Sequence, residues 1–100
     1  MIKHIVMFKL CDFSGEVEKS VILQEMKSRI EALAGHIELI RSLEVGINVR
    51  GLSYAYDLVL VMNFDSLMDV EAYTIHPAHQ DFVQWNSDKS EMKALIDFRI

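Results

Sequence analysis

Residues 58–62 form an unbroken apolar run, Leu-Val-Leu-Val-Met, which predicts a strand that is buried on both of its faces. Residues 2–10 alternate between two faces, and one of these faces is apolar apart from His4. The opposite face of the same segment is apolar in its middle, at Ile5 and Met7. An antiparallel sheet with water on one side shows a cleaner alternation than this. We therefore expect both faces of the sheet to be covered.

A long amphipathic helix is predicted over about residues 16–34, because most of its apolar residues recur three to five positions apart. Ser14 is placed to cap the amino terminus of this helix, and Gly35 is placed to end it. The other strands are predicted over residues 37–49, 53–64 and 93–100. Gly46 indicates a bend or bulge inside the first of them.

A second helical region is predicted to begin at Asp65 or Ser66, with Asp69 as the capping-box partner of Ser66. His76-Pro77 interrupts it, since proline disfavours helical backbone at the residue before it and suits the first turn of a new helix. The order strand, helix, strand, strand, helix, strand predicts an α+β domain of the ferredoxin-like βαββαβ type. Its sheet would have four antiparallel strands.

The length and composition of the chain exclude several classes of protein. A chain of 100 residues is expected to form a single domain, here residues 1–100, and it is long enough to bury one core. Its net charge of −5 argues against nucleic acid as a partner. No apolar run approaches the ~20 residues that cross a bilayer, and the chain starts without the pattern of a signal peptide, so no membrane partner is expected. The single cysteine, Cys11, cannot form a disulfide within the chain, and we expect a cytoplasmic protein.

The two predicted helical regions can cover only one face of a four-stranded sheet. Residues such as Ile5, Met7, Ile96 and Phe98 would then lie on an uncovered face. At ~25 cal/mol per Å² of buried apolar surface, leaving about half a dozen such side chains in water forgoes several kcal/mol. We therefore predict a homodimer in which the open sheet faces of two copies pack together. A sheet that is merely rich in β-branched residues is the alternative.

The segment Tyr73-Thr-Ile-His76-Pro77-Ala-His79 carries three hydrogen-bonding side chains across the predicted helix break. His79 is the best candidate for acid and base catalysis, because an imidazole takes and returns a proton near neutral pH. Beside Phe82 it would face inward, where desolvation favours its neutral form. The alternative is a half-buried histidine that hydrogen-bonds a backbone carbonyl. Tyr73 would orient His79, donate to a substrate carbonyl or simply pack, and His76 would cap the helix that Pro77 begins.

His4 shares its strand face with apolar residues. It either points into the apolar layer beneath the second helical region or reaches water at the strand end. The spacing of His76 and His79 also fits a pair of metal ligands, but no third ligand follows from the spacing, and we expect no metal site. The sequence contains neither a glycine-rich phosphate loop nor a serine-centred elbow motif, so no cofactor is expected.

Four segments of the chain together resemble the stress-responsive A/B barrel (Dabb) domain family. These segments are residues 1–9, 57–64, 73–79 and 96–98. The resemblance spans essentially the whole chain, and the Tyr-x-x-His-Pro-x-His block is its most specific part. It implies a ferredoxin-like domain whose dimer forms an α/β barrel.

The resemblance also implies two main expectations for function. Most members of the family have no defined activity, so the first expectation is a dimeric family member of unassigned role that binds a small apolar or carbonyl-bearing ligand. A few members resemble olivetolic acid cyclase-like polyketide cyclases, which implies the alternative of an intramolecular aldol closure with His79 and Tyr73 as catalytic residues. In either case we expect His4, His76 and Phe82 to contact the ligand. A stress-protection domain without chemistry and an oxygenase-like relative without a cofactor are further alternatives.

Overall fold

The computed structural model describes residues 1–13 and 15–100, and it shows one antiparallel sheet with helices on one side. The elements in chain order are β1 (Ile2–Leu10), α1 (Glu16–His36), β2 (Ser42–Ile47), β3 (Leu58–Phe64), α2 (Leu67–Thr74), α3 (Pro77–Asn86) and β4 (Ser90–Arg99). The sheet has the order β2-β3-β1-β4, and each neighbouring pair is antiparallel. The predicted ferredoxin-like βαββαβ class is therefore confirmed, with its second helical region divided in two. None of the helices in the described ranges is long and apolar enough to cross a bilayer.

The register of the strands decides which side chains share a face of the sheet. His4 lies opposite Met62 of β3 and Asp97 of β4, and Phe8 lies opposite Lys93 of β4. This face packs against the helices and holds the hydrophobic core, which includes Ile2, Val6, Phe8, Met26, Ile30, Leu60, Met62 and Phe64. The even-numbered side of β1 is thus the buried side, as the alternation of the sequence predicts.

The opposite face of the sheet has no helix over it. On this face of β1 and β4, Met7 is 38%, Ile96 is 55% and Phe98 is 39% exposed. Ile5 and Val59 on the same face are only partly buried. The expectation that both faces are covered is therefore not met within a single chain.

Helix α1 continues through Gly35 and ends at His36, so the prediction that Gly35 stops the helix is wrong. Ile37 closes the helix in extended backbone, and its N–H donates to the carbonyl of Leu33. The side chain of Ile37 is buried in the core, and this anchoring fixes where the chain leaves the helix. No glycine among residues 1–13 and 15–100 has a positive φ, so the end of α1 uses no left-handed residue. The predicted cap Ser14 lies outside the described residues.

Strands β2 and β3 are shorter than predicted, and β4 begins earlier, at Ser90. The loop between β2 and β3 opens with a turn in which the side-chain oxygen of Asn48 accepts the N–H of Arg50, at 3.0 Å. The predicted bulge at Gly46 is wrong, because Gly46 pairs with Val59 in a regular register. A Cβ atom at Gly46 would lie 3.3 Å from Cγ1 of Val59, so this close approach explains the glycine.

Candidate functional site

The break between α2 and α3 positions the predicted site residues. Ser66 caps α2 by accepting the N–H of Asp69 at 3.2 Å, as their spacing predicts. Helix α3 begins at Pro77, and Nδ1 of His76 accepts the N–H of Ala78 at 3.1 Å. The prediction that His76 caps this helix is confirmed. A new helix starts here because Pro77 has no N–H with which to continue the bonding of α2.

His79 is held in one tautomer by the backbone. Its Nδ1 atom lies 2.9 Å from the carbonyl oxygen of Thr74, and a carbonyl oxygen only accepts, so Nδ1 carries the proton. Nε2 is then the nitrogen with a free lone pair. Burial lowers the pKa of His79, and the charge of Lys93 lowers it further, whereas the hydrogen bond to Thr74 raises it. The result is an imidazole that favours its neutral, basic form.

Tyr73 is 2% exposed and packs against both histidines of the site. The centroid of its ring lies 4.4 Å from that of His79 and 5.8 Å from that of His4. Burial raises the pKa of Tyr73, so its hydroxyl keeps the proton and is available to donate a hydrogen bond. The hydrogen bond that orients His79 is made to the carbonyl oxygen of Thr74 and not to Tyr73. Two of the alternatives for Tyr73 then stay open, which are donation to a ligand and packing alone.

His4 points from β1 into the core and pairs with Asp97 of β4. Nδ1 of His4 lies 2.5 Å from Oδ1 of Asp97, and only 4% of His4 is exposed. Of the two expectations for His4, burial in the apolar layer is confirmed, and access to water at the strand end is wrong. Sequence analysis missed Asp97, because only the register of β1 against β4 brings it opposite His4.

Tyr73, His79 and His4 meet at a cavity of about 140 Å³ between the sheet and helices α2 and α3. The rest of its lining comes from Val6, Phe8, Leu60, Thr74, Phe82, Val83, Asn86, Lys93 and Leu95. Most of this wall is apolar. The structure therefore brings together four of the five residues predicted for the site, namely His79, Tyr73, His4 and Phe82. His79 also forms the bond to a backbone carbonyl that the non-catalytic alternative predicts, and its catalytic role stays a prediction.

His76 is the predicted site residue that does not line this cavity. It lies in a separate groove of about 480 Å³ between α1 and α3, together with Arg29, His36 and Asp81. Its Nδ1 atom is occupied by the cap of α3, which holds its ring at that end of the helix. Contact of His76 with a ligand in the cavity stays a prediction without geometric support.

Asn86 and Lys93 are cavity residues that sequence analysis did not assign to the site. Asn86 follows His79 by seven positions on α3, so the helical period places both on one face and could have indicated it. No comparable pattern in the sequence indicates that Lys93 lines the cavity, since its position opposite Phe8 depends on the register of β1 and β4.

The described residues hold no group of three or more His, Cys, Asp or Glu side chains placed to bind a metal ion. His76 and His79, which have the spacing of a ligand pair, both use Nδ1 in hydrogen bonds to the backbone. The polar groups that line the cavity are imidazole, phenol, hydroxyl, amide and ammonium groups. This set suits hydrogen bonding to a small organic molecule.

The four-stranded antiparallel sheet with helices on one face defines a ferredoxin-like α+β domain. Between the sheet and the helices lies the cavity lined by one tyrosine and two histidines. The chain belongs to the stress-responsive A/B barrel domain family, because the sequence model of that family matches residues 2–100. The family indicated by the four sequence segments is thereby confirmed.

Several known proteins are similar to this chain. An uncharacterized protein from Streptomyces coelicolor is 38% identical over 80 residues, which are 80% of each chain. A dimeric protein of unknown function with a ferredoxin-like fold from Bacteroides fragilis is 36% identical, with a TM-score of 0.87 over 99% of this chain and 95% of the other. A Dabb family protein with a ferredoxin-like fold from Mesorhizobium loti is 25% identical, with a TM-score of 0.73 over 99% and 95% of the two chains. The shared fold covers nearly the whole of this chain.

Proposed function

We propose that this protein binds a small, largely apolar compound with a carbonyl group in the cavity lined by Tyr73, His79 and His4. One observation carries the proposal. The hydrogen bond from Nδ1 of His79 to the carbonyl of Thr74 leaves Nε2 as a base, beside a phenol that keeps its proton. The apolar wall supports a ligand that is mostly hydrocarbon. The cavity volume of about 140 Å³ is below the ~300–1,000 Å³ that is usual for ligand cavities, and this supports a small ligand.

His79 and Tyr73 are matched to the enolisation of such a ligand. Nε2 of His79 takes a proton from the carbon next to the carbonyl, and the electron pair of the broken C–H bond moves onto the carbonyl oxygen. The hydroxyl of Tyr73 donates a hydrogen bond to that oxygen as its negative charge develops. The imidazolium of His79 then returns the proton, to carbon or to oxygen, and the base is restored.

A second candidate is the intramolecular aldol closure of a ligand with two carbonyl groups. The enolate carbon formed by His79 attacks the second carbonyl carbon, a carbon–carbon bond forms, and the new alkoxide takes the proton from the imidazolium. The position of His4 favours this candidate. Its ring centroid lies 5.8 Å from that of Tyr73 and its Nδ1 is bound to Asp97, so Nε2 of His4 offers a second proton-handling atom.

We further propose that two copies of the chain pair through the uncovered face of the sheet. The exposure of Met7, Ile96 and Phe98 supports this, and so does the dimeric state of the 36% identical relative from Bacteroides fragilis. The cavity lies on the other face of the sheet, so pairing would leave it complete within each chain. The expectations of a cytoplasmic location and of no nucleic-acid partner stay predictions.

Proton exchange at the carbon between the two carbonyl groups of methyl acetoacetate, followed by NMR in heavy water, tests the proposal. We expect the wild-type protein to accelerate this exchange above the rate in buffer, and His79→Ala to lose the acceleration while remaining folded. His36→Ala is the matched control, because His36 is exposed and lies outside the cavity. A wild-type rate equal to that of buffer, or an unchanged rate in His79→Ala, contradicts the assignment of His79 as the base.

A further inference from the structure

Lys93 stands in a row where the sheet otherwise carries apolar side chains. The register places Lys93, Phe8 and Leu58 side by side across the helix-covered face. Phe8 and Leu58 are buried there, whereas Lys93 lies on the edge strand β4 and lines the cavity. Lys93 is exposed, so its ammonium group contacts water and remains accessible to a charged ligand.

No ion pair among residues 1–13 and 15–100 involves Lys93, and the cavity lining contains no aspartate or glutamate. Asp97 lies on the same face of β4, but it is paired with His4. The chain as a whole carries 15 acidic and 10 basic residues, so the positive character of the cavity is opposite to that of the molecule. A negatively charged ligand would therefore meet a positive charge in the cavity that no acidic side chain of the lining neutralises.

Asn86 provides a second donor in the same cavity. Its side-chain oxygen accepts the hydroxyl proton of Ser90 at 2.7 Å, which leaves the two amide hydrogens of Asn86 for another acceptor. An ammonium group and an amide are complementary to a carboxylate, which accepts hydrogen bonds at both of its oxygens.

We infer that the ligand of this cavity carries a carboxylate as well as a carbonyl group, and that Lys93 and Asn86 bind the carboxylate. This inference rests on the proposed function, because it takes the carbonyl group to lie at Tyr73 and His79. A 3-oxocarboxylate is the simplest compound of this class. Its carboxylate would bind Lys93, and its acidic C–H group would face His79.

Acetoacetate and methyl acetoacetate test the inference, because the ester differs from the acid chiefly in lacking the negative charge. Binding of each compound is measured by NMR titration to wild type, Lys93→Met, Lys93→Arg and Lys27→Met. Lys27 lies on α1 outside the cavity, so Lys27→Met removes the same charge elsewhere and is the matched control. We expect wild type to bind acetoacetate at least about tenfold more tightly than the ester. Lys93→Met is expected to lose this preference with ester binding unchanged, and the other two variants to keep it.

A second readout is the pKa of His79 in the two complexes. The charge of Lys93 lowers this pKa, so acetoacetate is expected to raise it relative to the ester complex by offsetting that charge. Equal affinity of wild type for the acid and the ester, or an unchanged preference in Lys93→Met, overturns the inference and leaves the proposed function standing. If neither compound binds, the proposed function fails and the inference fails with it.

Discussion

The imidazole of His79 donates its Nδ1 proton to the backbone carbonyl of Thr74 at 2.9 Å, so the last residue of α2 fixes a side chain of α3. This carbonyl is available because the final carbonyls of a helix have no partner within it. The side chain of Gln80 donates to the same oxygen, at 2.7 Å. The helix break therefore sets the tautomer of His79, on which the proposed chemistry depends.

Replacement of Tyr73 by phenylalanine removes the proposed donor and keeps the ring. We expect Tyr73→Phe to slow the exchange of methyl acetoacetate by about a hundredfold, since a donor to a developing oxyanion contributes on that order. The melting temperature, followed by circular dichroism, is expected to stay close to wild type, because the contacts with His79 and Phe64 remain. An exchange rate equal to that of wild type would mean that Tyr73 only packs.

Asp97 holds the buried imidazole of His4. We expect Asp97→Ala to lower the free energy of unfolding by about 1–3 kcal/mol, because Nδ1 of His4 then lacks its acceptor in the core. Urea unfolding measures the change. Glu91→Ala, at an exposed position of β4, is expected to change it by less than about 0.5 kcal/mol. Equal losses in the two variants would show that the His4–Asp97 pair adds nothing specific.

His76 acts through the cap of α3. We expect His76→Ala to cost about 1 kcal/mol of stability, whereas His76→Asn keeps most of it, because asparagine is a favoured N-cap residue. Both variants are expected to retain the exchange activity, since His76 does not line the cavity. Loss of activity in both variants, with the fold intact, would show that His76 contacts the ligand.

The uncovered sheet face is expected to hold two copies together. Ile96→Asp places a charge on this face, so we expect it to convert a dimer into a monomer in sedimentation at micromolar concentration. Val17→Asp, on α1 where Val17 is 80% exposed, is expected to leave the dimer unchanged. A wild-type protein that sediments as a monomer under these conditions would refute the proposed pairing.

Local sequence signals were sufficient for the elements that carry the site. The alternation of β1 predicts which side of the sheet is buried, and it places His4 on that side. Proline lacks a backbone N–H, so His76-Pro77 predicts both the helix break and the cap. These features depend on residues that are close in the chain.

The contacts that complete the site join residues far apart in the chain. His4 and Asp97 are 93 residues apart, and their pairing follows from a β1–β4 register that shifts between Lys9 and Leu10. A shift of one position would turn Asp97 and Lys93 to the other face of the sheet. The acceptor for His79 is a backbone carbonyl, which no residue type encodes.

Long-range nitrogen–proton NMR of the His79 imidazole, recorded between about pH 5 and about pH 8, tests the central claim most directly. We predict that neutral His79 is protonated at Nδ1 and bare at Nε2, with a pKa below the ordinary value of 6.5 because of burial. The basic form then predominates at pH 7, and the exchange rate rises with pH through this pKa and is constant above it. Protonation of the neutral ring at Nε2, or a pKa above 6.5, would contradict the account.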